Sequence, residues 1–139
     1  MMHYSKDYSV TRLNLDKELP KDIHLYKNLK KLYCYNNQLT TLPENLPVSI
    51  EYLYCSNNQL TTLPENLPAS LEVLNCNNNQ LTTLPENLPA SLKELLCDEN
   101  PFTKEYEFKI TIKTLPRYYL EKEEREKSRG YGMYNAIFK

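Results

Sequence analysis

The chain has 139 residues, of which 40% are hydrophobic and 25% charged, with a formal net charge of −1. That length suits one domain, and the near balance of acid and base gives no electrostatic support for a nucleic-acid partner. No apolar run approaches the ~20 residues of a membrane span, and "MMHYSKDYSV" has no apolar signal core, so no membrane partner is expected and the cytoplasm is the expected compartment.

In chain order the first element is an N-terminal cap, residues 1–28, holding a degenerate unit, "VTRLNLDKELPKDIHLYKN". Val10, Leu13 and Leu15 are its expected strand residues, and it lacks an asparagine that every later unit carries. A small basic cluster, Arg12, Lys27, Lys30 and Lys31, sits here and just beyond.

From residue 29 the chain is periodic. "NNQLTTLPENLP" occurs three times word for word, at 36–47, 57–68 and 78–89, and the words between keep step as "LKKLYCYNN", "IEYLYCSNN", "LEVLNCNNN" and "LKELLCDEN". A fixed period of 21 residues marks a solenoid, with units 29–49, 50–70, 71–91 and a partial 92–102. In each unit L-x-x-L-x-C alternates as a strand with one buried face requires, so Leu32 and Cys34 point inward while Tyr33 and Tyr35 point outward. Successive strands must run parallel, because each is followed by the same long return. Two prolines four residues apart in that return remove amide donors and fix φ, which predicts an extended, polyproline-like convex side closed inward by leucines such as Leu42 and Leu46.

Two columns look chemical and have a structural explanation. Asn37, Asn58, Asn79 and Asn100 fall where the strand bends into the return, and a short amide side chain there satisfies backbone groups that no sheet partner reaches. Cys34, Cys55, Cys76 and Cys97 form a straight column with neighbours ~4.8 Å apart. Such a column cannot supply tetrahedral metal ligands, and parallel in-register Cβ vectors suit a disulfide poorly, so buried reduced thiols are expected.

After residue 102 the period is lost, and residues 103–139 are read as a C-terminal cap and tail. Phe108, Ile110 and Ile112 alternate like a strand. "LPRYYLEKEEREKSRG" opens near a proline and closes on a glycine, which predicts a short, charge-covered capping helix. The final "YGMYNAIFK" offers Met133, Tyr134, Ile137 and Phe138 to fold back over the last turn or, alternatively, to serve as a docking tail.

The repeat L-x-x-L-x-C-x-x-N-x-L-x-x-L-P-x-x-L-P-x-S resembles the leucine-rich repeats over Val10 to Phe102, and its L-P-x-x-L-P segment is similar to short repeats of secreted bacterial effectors and giant-virus proteins. The resemblance implies an α/β-type repeat solenoid, a curved right-handed superhelix with its parallel sheet on the concave face. It also implies a protein-interaction module, placed in the host cytoplasm if the source is a virus or a secreting bacterium.

No enzyme and no cofactor are expected. The only glycines are Gly130 and Gly132 and the only histidines His3 and His24, so a phosphate cradle or a base beside Ser56 or Cys55 is missing. Information instead lies in the outward strand positions, which differ from unit to unit. Lys31, Tyr33, Tyr35, Tyr52, Tyr54, Asn75 and Glu94 are the expected partner-binding residues, an aromatic centre between a basic edge (Arg12, Lys30, Lys31) and an acidic one (Glu94, Asp98, Glu99). Stacked tyrosines that merely stabilise the sheet are the bland alternative. The partner is expected to be a protein of unknown identity and the chain a monomer or weak homo-oligomer. A structural or self-associating repeat, or the recognition subunit of a separately encoded enzyme complex such as a ubiquitin ligase, are the competing functions.

Overall fold

The computed structural model describes the backbone of residues 6–138 and the side chains of residues 6–129. Five strands, β1 (Arg12–Asn14), β2 (Lys31–Tyr33), β3 (Tyr52–Tyr54), β4 (Val73–Asn75) and β5 (Glu94–Leu96), form one parallel sheet in chain order. Each strand is only three residues long, because the asparagine bend turns the chain out of the sheet soon after the cysteine. The register follows the repeat: Lys31 pairs with Tyr52, Tyr52 with Val73 and Val73 with Glu94, each 21 positions on, whereas Arg12 pairs with Lys31 only 19 on. The degenerate unit therefore joins the sheet as a shorter coil.

The core is the stack of inward leucines and cysteines. Leu32, Leu53 and Leu74 from the strands, Cys34, Cys55 and Cys76 beside them, and Leu60 and Leu81 from the returns are fully buried. The returns hold no helix and run as extended segments broken by turns, as two prolines per unit require. Each of the three full repeats closes with a serine: the Ser49 hydroxyl donates to Leu29 O at 2.6 Å, and Ser70 and Ser91 donate one turn back in the same way.

The asparagine column is the scaffold that its position predicts. Asn58 Nδ2 donates to Cys34 O (3.0 Å) and Cys55 O (3.1 Å), while its Oδ1 accepts the Leu39 N–H (3.1 Å). Asn79 and Asn100 repeat the pattern on Leu60 and Leu81. Immediately before each, Asn36, Asn57, Asn78 and Glu99 adopt φ of 55 to 56°. Asparagine tolerates this left-handed region and glutamate much less so.

The C-terminal end departs from expectation in two ways. Residues 106–112 are not a strand: after a 3-10 turn at Pro101–Glu105 the chain crosses the end of the core instead of running beside β5. Ile110 is buried there, with Phe108 and Ile112 packed against the cluster, so the alternation reflects contact with the core end and not a ladder. The helix α1 (Leu115–Phe138) is 24 residues long rather than short. It passes through both glycines, since no proline follows them and i,i+4 pairs at Arg117–Glu121, Lys122–Glu126 and Glu123–Lys127 support the turns before them. The fold-back of Met133, Tyr134, Ile137 and Phe138 concerns side chains outside the described residues.

Candidate functional site

The outward side chains of β2 to β5 lie in columns set by the register. Tyr33 and Tyr54 are Cα partners, and their rings stack at 4.8 Å with an interplanar angle of 5°. Parallel in-register strands enforce this, because equivalent side chains leave the sheet along the same vector one strand spacing apart. Tyr35 meets Tyr33 edge-on at 6.4 Å and is 47% exposed, so the aromatic cluster is open to an incoming surface.

Cations extend both columns. The Arg12 guanidinium lies 4.5 Å from the Tyr33 ring centroid and also donates from Nε to Asn14 Oδ1 at 3.3 Å. Lys31 Nζ lies 5.4 Å from the Tyr52 centroid. Each is attracted by the negative ring face, and neither has a carboxylate within ion-pair distance among the described residues. Arg12 thus belongs to the same patch, although sequence reasoning placed it only at the edge. Its signal was there: it occupies the column of Lys31 and Tyr52, one strand earlier.

The face continues through Asn75, the Cα partner of Tyr54, to Glu94 on β5. Asn75 is partly committed to its own backbone, since its Oδ1 accepts the Asn77 N–H at 3.2 Å. Partial burial pushes the Tyr54 hydroxyl pKa above its usual value, with the Tyr33 ring and Glu94 adding to the effect, so the hydroxyl stays neutral and able to donate. The two charged edges are partly neutralised at the rim. Lys30 pairs with Glu51 at 3.5 Å, Lys93 with Glu72 at 2.6 Å and Lys109 with Asp98 at 3.4 Å. The structure thus brings Lys31 and the four tyrosines into one contiguous patch, with Asn75 adjoining and Glu94 at its far edge.

Other chemistry is sparse. All four thiols are free and buried, and burial pushes Cys34 and Cys97 up to about 12, with Cys55 and Cys76 also raised well above the ordinary range. Thiols held neutral are poor nucleophiles and poor ligands. Among the described residues no three His, Cys, Asp or Glu side chains gather to hold a metal ion. No helix among them is long and apolar enough to cross a membrane.

Sequence reasoning missed the C-terminal plug. Tyr118, 1% exposed, inserts under the last full turn, where its hydroxyl receives the Leu84 N–H at 3.2 Å and lies 3.1 Å from Thr83 Oγ1. Its ring packs against Phe102, Tyr106 and Tyr119, the Tyr119 hydroxyl donates to Pro85 O, and Lys122 reaches Glu86 at 3.1 Å. Two adjacent tyrosines at the start of an otherwise charged helix were the available signal.

The comparisons agree with this geometry. A family model described as "Leucine Rich repeats (2 copies)" matches residues 27–69 and 48–90. Among solved structures, a leucine-rich repeat protein of Leptospira interrogans is 34% identical over 61% of this chain and 23% of its own, with a TM-score of 0.58. YopM of Yersinia enterocolitica is 36% identical over 63% of this chain and 18% of its own, with a TM-score of 0.51. The chain therefore spans about a fifth of the length of these structures. No curated protein sequence matches it. Residues 27–90 thus match leucine-rich repeats, and with its stacked parallel coils the chain resembles bacterial leucine-rich repeat proteins.

Proposed function

We propose that the protein is an interaction module that binds a protein partner across its exposed sheet face, using Lys31, Tyr33, Tyr35, Tyr52, Tyr54, Asn75 and Glu94, with Arg12 at the margin. The observation that carries the reading is the open Tyr33–Tyr54 stack with Tyr35 and two ring-bound cations around it. Tyrosine presents a large rigid surface with a polar tip, which suits the centre of an interface better than a solvated sheet. The repeats hold the face in place, and the constant returns leave variation to the strands. The protein acts without a cofactor in this reading, and its place is the cytoplasm.

Size sets the strength. Five strands at about 4.8 Å and four residue rises at about 3.3 Å project to roughly 300 Å², below the ~800 Å² per partner of a standard interface. The face alone binds weakly and transiently, and tighter binding recruits the rims. Replacing Tyr33 and Tyr54 together by Ala is expected to weaken binding of a partner recovered by pull-down by about 2 kcal/mol or more. The same change removes one stacked pair, which costs about 1 kcal/mol of stability and leaves the chain folded. A folded double variant that binds its partner unchanged would assign the tyrosines to the scaffold.

A further inference from the structure

The solenoid interrupts its own ladder at one place. At each later junction a leucine of the preceding coil is held by two groups of the next: Leu39 gives its N–H to Asn58 Oδ1 (3.1 Å), and its C=O accepts the Gln59 N–H (2.8 Å). Leu60 is held in the same way by Asn79 and Gln80, and Leu81 by Asn100 and Phe102. At the first junction the receiving pair is present as Asn37 and Gln38. The guest is absent: the shorter unit runs only four residues from Leu15 to its Leu19–Pro20 pair, where the next coil takes eight from Cys34 to Leu42–Pro43, so it lacks the segment that carries the leucine. The Asn37 amide still donates to Leu15 O (3.1 Å) and Cys34 O (3.0 Å), but among the described residues its Oδ1 and the Gln38 N–H have no partner. From Asp16 to Lys21 no hydrogen bond joins the degenerate coil to the first full one among the described residues. Between it and the first full coil lies an open cavity of about 840 Å³, lined by Leu19, Pro20, Asn37, Gln38, Leu39 and Pro43. That volume is in the range of sites that accept a sizeable ligand. Leu39, which borders it, is 7% exposed while Leu60 and Leu81 are 0%.

We infer that this cleft is a second docking site, separate from the tyrosine face, for an extended peptide segment carrying a leucine whose backbone N–H and C=O engage Asn37 Oδ1 and the Gln38 N–H. The occupant's chemistry is read from the three junctions where the chain supplies it itself. The lining charges Asp16, Lys17, Glu18 and Lys21 cancel, so backbone pairing selects the guest, with Leu19, Pro20, Leu39 and Pro43 as the apolar part of a lining that is otherwise polar.

The test uses the full chain and a synthetic peptide with its own repeat phrase, Asn-Asn-Gln-Leu-Thr-Thr-Leu-Pro-Glu-Asn-Leu-Pro. Saturable binding is expected, with the backbone amide signals of Gln38 and Leu39 shifting and exchange of the Gln38 amide slowing at least tenfold. Methylating the amide nitrogen of the peptide's first leucine removes the one N–H at issue without touching the protein, and is expected to weaken binding at least tenfold. Absence of binding, equal binding of the methylated peptide, or shifts confined to Tyr33 and Tyr54 would each overturn the inference. So would a Gln38 amide already protected in the free protein and exposed by removing residues 1–5.

Discussion

The two ends of the solenoid solve the same problem differently. At the C-terminal end the last coil is closed by side chains from outside the repeat: Phe102, Ile110 and Tyr118 are buried, and a helix residue satisfies the Leu84 amide. At the N-terminal end the closing piece is a shortened repeat that matches the sheet through β1 and then leaves the ladder. One end is sealed by new chemistry, the other by an imperfect copy. A stacked array is only as stable as its terminal interfaces, so stability is expected to fall from the helix toward the first coil.

Removing the C-terminal seal is the largest perturbation. Deleting residues 104–139 bares Phe102, Leu95 and Cys97 together and is expected to abolish cooperative melting or cause aggregation. Calorimetry with light scattering checks it, and a monomeric truncation with unchanged melting would show that the ends do not differ. Within the seal, Tyr118→Ala deletes a buried ring and orphans the Leu84 amide, for an expected loss of about 3–5 kcal/mol in denaturant unfolding. Tyr8→Ala at the other end removes a 37% exposed ring that meets Tyr26 edge-on at 4.9 Å, with an expected loss below about 1 kcal/mol.

The thiol column runs from the first full coil to the last and gives a perturbation shared along the array. Burial raises all four pKa values in the folded state, so folding favours the neutral thiol. For every thiol the contribution is complete below the ordinary value of 9.0 and is lost as pH rises above it, toward about 12 for Cys34 and Cys97. Each buried thiol is expected to cost up to about 1.4 kcal/mol per pH unit in that window. Denaturant midpoints compared at pH 8 and 10 should fall steeply, and Cys55→Ala with Cys76→Ala should remove about half of the thiol-dependent slope.

The bend asparagines sharpen the comparison further. Asn58→Ala strands the Leu39 amide and takes one of two asparagine donors from each of the Cys34 and Cys55 carbonyls, for an expected loss of about 2 kcal/mol. Asn37→Ala strands no such amide and is expected to cost about 1 kcal/mol less. The smallest effect has the opposite sign: Glu99, at φ 56°, occupies the place of Asn36, Asn57 and Asn78, and Glu99→Asn is expected to stabilise by about 1 kcal/mol.

The columns of the sheet, including the pairing of Tyr33 with Tyr54 and Val73 with Glu94, were legible because each position is stated several times at a fixed spacing. Repetition averages away local ambiguity in strand and bend. The same holds for the inward cysteines and the bend asparagines. What sequence reasoning missed occurs once. Tyr118 and Tyr119 sit in a run dominated by charge, and only the tertiary contact with Phe102 and Leu84 distinguishes them from a solvated face. Residues 106–112 alternate as a strand does, yet whether a ladder partner exists depends on where the 3-10 turn at Pro101–Glu105 sends the chain. The Arg12–Tyr33 contact and the cleft at Asn37 likewise arise from the junction of unlike coils, which no single repeat encodes.

Native-state hydrogen exchange of three equivalent amides, Gln38, Gln59 and Gln80, tests the graded solenoid most directly. Gln59 and Gln80 donate to Leu39 O and Leu60 O at 2.8 Å, whereas Gln38 meets no acceptor among the described residues. Gln80 and Gln59 are expected to exchange only through large openings, Gln59 somewhat faster because it lies nearer the open end, and Gln38 at nearly the rate of an unstructured chain. Equal protection of all three would contradict the difference between the ends.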